Sequence, residues 1–236
     1  MVKEKLNHSL FLTLTRYKFY RFENFNNLKQ EVDMKRLHRI IISVMIGAFV
    51  LTGRVQAQEK FVVDPAHTHI GFSVTHMVIT KVHGKFDEYE AVFYLDRENI
   101  ANSRAEARIK VTSINTENQK RDDHLRSKDF FDAEKYPEIT FRTTRIEKTD
   151  DGYVAIGPLT IKGVTREIRL PFVLNGPITD PWGNERFGIE AEVKINRQDF
   201  GIKWNKTMDN GGLVVGNTVT LRIHAEFIKA KETTSR

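Results

Sequence analysis

Residues 187–195 read FGIEAEVKI, so that Phe187, Ile189, Ala191, Val193 and Ile195 alternate with Gly188, Glu190, Glu192 and Lys194. A period of two puts the apolar set on one face of a pleated strand and the charged set on the other. The stretch is bounded by turn residues between Gly176 and Asn184. It is the pattern of a strand half buried in an all-β domain.

Working outward, the same alternation recurs. Ile70, Phe72 and Val74 share one face, with Gly71, Ser73 and Thr75 opposite. Between Gly84 and Leu95, Tyr89, Ala91, Phe93 and Leu95 alternate, while Phe86 is out of register by one. That slip predicts a bulge near Asp87 and Glu88. Ala105 to Val111 and Ile139 to Thr143 follow, then Val154 to Ile161 and Ile168 to Leu174 as a hairpin around Lys162-Gly163-Val164. Val219 to Phe227 closes the series. Eight strands at nearly even spacing predict an antiparallel barrel or sandwich.

One segment departs from the alternation. Thr116-Glu117-Asn118-Gln119 has the Thr-x-x-Gln form of a capping box, and Lys120 to Lys128 follow as helix formers. Arg121, His124, Leu125 and Lys128 fall on one face. Phe130 and Phe131 come directly after. Two readings stay open for this inserted helix: a lid at one barrel end, or a cover for an exposed sheet edge.

The chain has 236 residues and a formal charge of +6. Lys35, Arg36 and Arg39 precede the uncharged run Ile40 to Leu51, and Val55-Gln56-Ala57 supplies the small-residue cleavage pattern. We read residues 34–57 as a signal peptide cut after Ala57, and residues 1–33 as an upstream extension from a misassigned start. Residues 58–236 are then the domain, expected in the periplasm or the medium with no permanent membrane anchor. Residues 1–57 hold ten of the 37 basic and four of the 31 acidic residues, leaving 27 of each sign in the domain. A neutral domain argues against a nucleic-acid partner. Cysteine is absent, which removes disulfides, thiolate catalysis and thiolate metal sites.

The segments DPAHTHIGFSVTH (64–76), GKFDEYEAVFYL (84–95), SINT (113–116), RDDHLRSKDFFDAEKYPEITF (121–141), GPLTIKGVTREI (157–168) and NRQDFGI (196–202) resemble, in order, the motifs of the YceI-like lipid/polyisoprenoid-binding proteins. The resemblance implies an extended, lipocalin-like barrel. It also implies export, and a long isoprenoid or other amphiphilic lipid held inside. The segment 203–217 carries more glycine than the motifs explain.

Inward parity places Phe72, Phe93, Phe141, Phe172 and Phe187 beside Ala91, Ala107, Ala191 and Ala225. An eight-stranded barrel is just wide enough to be filled by side chains or to hold one guest. The expected contacts to a lipid chain are Phe72, Phe93, Ala107, Leu125, Phe130, Phe131, Phe141, Phe172, Phe187 and Ala191. His76, near a strand end, is expected to meet a head group, and Arg121, Arg126 and Lys128 to attract a phosphate or other polar head. A solid barrel acting through its surface, or as a homodimer, is the alternative. His67 and His69 have a metal-like spacing but no accompanying carboxylate motif, so no metal is assigned. Ser73 lacks a nucleophile elbow, and Asp122-Asp123 reads as a helix-surface pair. No catalysis and no cofactor are expected.

Overall fold

The computed structural model describes residues 58–209 and 211–231, within a compact unit spanning Ala57–Arg236. The signal-peptide and upstream assignments lie outside the described residues. The strands are β1 (Glu59–Val63), β2 (His69–His76), β3 (Thr80–Phe86), β4 (Tyr89–Leu95), β5 (Arg104–Lys110), β6 (Ile114–Asn115), β7 (Glu138–Arg142) and β8 (Arg145–Thr149). Four longer strands follow: β9 (Gly152–Ile161), β10 (Val164–Thr179), β11 (Glu185–Asn196) and β12 (Val215–Lys229). Among the described residues one α-helix, α1 (Gln119–Arg126), lies between β6 and β7.

All pairings are antiparallel, and the ring closes because β12 pairs with β1 as well as with β11 and β2. The short strands join end to end into staves: β1 with β2, β3 with β4, β5 with β6, β7 with β8. With β9 to β12 this gives an eight-stranded closed barrel, one of the two architectures the alternation allows and the one the family resemblance implies. At the position of the expected bulge the stave is interrupted, since β3 stops at Phe86 and β4 restarts at Tyr89. The register places the extra residues in the neighbouring staves and not at Asp87-Glu88. The break lies across from 3-10 turns at Pro65–His67 and Val111–Ser113 in those flanking staves. Three adjacent staves therefore bend along one line.

The turn chemistry is mixed. Lys162 and Gly163, at φ 50° and 72°, form the two-residue turn between β9 and β10, which the glycine accommodates without cost. The β2–β3 turn is less expected. Met77 and Val78 sit at φ 49° and 66°, closed by the Ile79 N–H on the His76 carbonyl at 3.2 Å. A β-branched residue there costs roughly 1–2 kcal/mol. Strand β10 runs on to Thr179, so the turn read over Gly176 to Asn184 contracts to residues 180–184.

Two corrections concern the helix. Its N-cap is Asn118, whose side chain accepts from the Arg121 N–H at 3.0 Å, and not Thr116. Asp122 is not a surface residue. It is 5% exposed, and its carboxylate accepts the Thr116 N–H and hydroxyl.

Candidate functional site

The barrel interior is not filled. A cavity of about 160 Å³ lies at mid-barrel, lined from every stave, including Ala91, Phe93, Ala107, Phe141, Phe172, Ala191 and Ala225. Apart from Thr68, Thr143 and the Glu106 position, its lining is apolar or glycine. The reason lies in the register. Ala91 pairs with Ala107, Phe93 with Ala105, and Ile189 with Ala225, so methyl groups face positions that larger residues would fill. Packed interiors leave few voids larger than a water.

A second apolar cavity, about 100 Å³, lies beneath α1. Phe72 and Val74 from β2, Leu125 from α1, and Phe130 and Phe131 after it line this space. Ile139, Ile161 and Leu221 line both cavities and stand between them. The opposite end is closed by aromatic rings. Phe187 stacks on Phe227 at 5.1 Å and meets Phe61 and Phe93 edge-on at 4.9 and 5.2 Å. The bore is thus blind at that end.

The helix serves both roles left open by the sequence. Leu125 faces the second cavity, while Arg126 donates to the Thr112 and Ile114 carbonyls at 2.9 Å beside the short strand β6. Trp204 packs against His124 and Phe130 at 5.0 and 5.1 Å, covering this end. Trp182 is 82% exposed at the far turn.

The expected chain contacts divide accordingly. Phe93, Ala107, Phe141, Phe172 and Ala191 line the mid-barrel cavity. Phe72, Leu125, Phe130 and Phe131 line the second. Phe187 lines neither, because its ring is occupied by three other aromatics. His76 ends β2, opposite Thr80 and Val215, and is also outside both linings. The guanidinium donors expected to meet a head group are turned inward. Arg121 donates to the Thr116 hydroxyl and carbonyl at 2.7 Å, and Arg126 to Asp123 as well as the two carbonyls above. Lys128 is exposed, and its carbonyl accepts from Lys162.

One buried charge escaped the sequence reading. Arg197 is 4% exposed and lines the second cavity, with no carboxylate partner among the described residues. Its guanidinium donates to the carbonyls of Gly216, Ile202 and Trp204 at 2.8–2.9 Å, with longer bonds to Val215 and Asn217. Burial pushes its pKa down from the usual arginine value. This side chain ties the two ends of the glycine-containing segment together, at Trp204 and at Val215 to Asn217, an arrangement that spacing alone did not reveal.

At the blind end, Asp64, His67 and Glu226 lie close enough to offer three metal-ligand atoms. Those carboxylates already have a cation. Arg186 donates to Asp64 at 2.7 Å, to Glu226 at 2.6 Å and to Asp180 at 2.7 Å. His69 is elsewhere, paired with His224 across β2 and β12.

A closed eight-stave barrel with an apolar cavity is an architecture able to hold one small apolar guest. Residues 61–227 match the YceI-like domain, and the chain belongs to that family. A UPF0312 protein of Photorhabdus laumondii is 37% identical over 71% of this chain and 88% of its own length. One from Staphylococcus aureus is 34% identical over 71% and 96%. The crystal structure of a Campylobacter jejuni YceI protein superposes with a TM-score of 0.58 at 36% identity, covering 71% of this chain and 96% of that one. A polyisoprenoid binding domain from Saccharophagus degradans shares the fold, with a TM-score of 0.52 at 14% identity over 73% and 99%.

Proposed function

We propose that this protein is an exported, non-catalytic carrier that holds a long-chain isoprenoid or similar amphiphilic lipid inside its barrel. The observation carrying this reading is the alanine-lined apolar cavity to which every stave contributes. The polyisoprenoid binding domain of Saccharophagus degradans, which shares the fold, supports the same ligand class. Burying one five-carbon prenyl unit is worth roughly 3–4 kcal/mol. Association and ordering cost on the order of 10 kcal/mol, so only a guest of several units binds usefully.

In this reading Phe72, Phe93, Ala107, Leu125, Phe130, Phe131, Phe141, Phe172 and Ala191 touch the chain, while Phe187 supports the wall behind Phe93. The polar head emerges at the α1 end, since aromatic rings block the other. His76 and Lys128 remain candidates to meet it. Export rests on the basic, apolar and small-residue series within residues 34–57.

Organic extraction of the purified protein followed by mass spectrometry tests the proposal. Recovery of a prenyl lipid is expected. Failure to recover any amphiphile, together with no uptake of added prenyl lipid, would overturn it.

A further inference from the structure

The β2–β3 turn carries three consecutive large apolar side chains outward. Met77, Val78 and Ile79 are 42%, 67% and 85% exposed. A turn with two successive residues at positive φ ordinarily takes Asn and Gly. Here Met77 and Val78 hold those positions, and both are exposed together with Ile79. The patch continues sideways. The Met77 N–H donates to the Val214 carbonyl at 2.9 Å, which brings Leu213, itself 37% exposed, alongside.

Charge surrounds this patch. Lys81 follows the turn on β3, opposite Thr75, and the Lys206 carbonyl accepts the Val214 N–H at 2.9 Å. Both lysines are exposed. Neither ammonium group is in an ion pair among the described residues. Asp209 is the exposed acid of the neighbouring turn. Apolar side chains at an apex, with cations around them, match an anionic bilayer surface: the first enter the acyl boundary and the second meet lipid phosphates.

Position agrees with composition. Val74 lines the second cavity two residues before β2 ends, and so does Val215, the partner of His76. The apex therefore stands beside the α1 end of the bore, away from the aromatic plug.

We propose that the β2–β3 apex is a bilayer-contact element that seats this end of the barrel on an anionic membrane. Its usefulness, as the route by which lipid enters or leaves, rests on the carrier reading, but vesicle binding itself does not require a bound lipid.

The test is co-sedimentation of the protein, in the form its host accumulates, with phosphatidylglycerol–phosphatidylcholine vesicles. The comparison is the triple variant Met77→Ser, Val78→Asn, Ile79→Ser, in which Asn suits the positive φ. Wild type should sediment with these vesicles, less with pure phosphatidylcholine or in high salt, and the variant at least about tenfold less. Near-UV circular dichroism checks that the variant folds. Equal sedimentation of both proteins, or of neither, overturns the inference. So does a concentration-dependent dimer that the variant abolishes without any vesicle binding, because the apex would then contact a second copy. Extraction of both proteins separates the two proposals. Apex-dependent vesicle binding with no lipid extracted from either protein and no uptake of added prenyl lipid sustains the contact element and removes the carrier reading.

Discussion

Ala91 and Ala107 are register partners across β4 and β5, and both line the mid-barrel cavity. On its other side Ala107 pairs with Phe141. Two methyls facing each other next to a phenyl ring leave unfilled volume at the centre of the barrel. In the proposed function that volume is where the guest lies.

Ala107→Phe should therefore fill the cavity. If the bore takes a prenyl chain, uptake of added lipid falls to background, with the thermal midpoint little changed. In a barrel whose interior is functionally solid, the same substitution overpacks and costs about 1–3 kcal/mol. Lipid uptake measured beside a urea melt separates the two outcomes.

Phe187→Ala removes the central ring of the plug formed with Phe61, Phe93 and Phe227. Truncating a buried phenylalanine costs about 3–5 kcal/mol. Chemical denaturation should show a loss in that range, with lipid uptake persisting in the remaining folded population. Uptake that disappears while the fold survives would mean that Phe187 touches the guest after all.

Arg197→Met leaves the carbonyls of Gly216, Ile202 and Trp204 buried without donors. Each unsatisfied group costs about 1–3 kcal/mol. The variant should lose several kcal/mol in a urea melt and lose the near-ultraviolet signal of Trp204. Arg197→Lys should not restore it, because an ammonium cannot reproduce the planar five-donor fork.

Acid should weaken the barrel through the Arg186 network. Hydrogen bonds from His67 and then Arg186 hold the Asp64 carboxyl below the usual range. Burial works to raise the Asp180 carboxyl, but hydrogen bonds from Asn184, Arg186 and the Trp182 backbone outweigh it and keep it well below that range. Both folded pKa values lie below the unfolded reference of about 3.9. Their stabilisation is therefore complete above that reference and is lost as pH falls through the depressed values. Thermal midpoints should change little on this account between neutral pH and about 5, then fall below about 4. Arg186→Met should lower the midpoint at neutral pH and flatten the acid fall, because the two carboxyl pKa values then move back toward the unfolded reference.

Local chemistry makes part of this protein readable before any fold is known. The eight staves follow from period-two alternation because a pleat sends neighbouring side chains to opposite faces whatever the strand later pairs with. The break at Asp87 and Glu88 is signalled by a one-residue slip in the same pattern, while the extra residues that accompany it, in the flanking staves, are not. Closure depends on more distant relations. β1 completes the ring by pairing with both β4 and β12, a partnership between residues 61 and 229 that no local pattern carries. Phe187 and Ala191 share one face of one strand, yet the first is enclosed by rings from three other strands and the second borders empty space. Arg197 is buried because carbonyls brought together by the chain ends of β11 and β12 replace its water. Alternation decides which side of the wall a residue occupies. What it finds there is decided by which strands arrive opposite, and that is a property of the closed barrel alone.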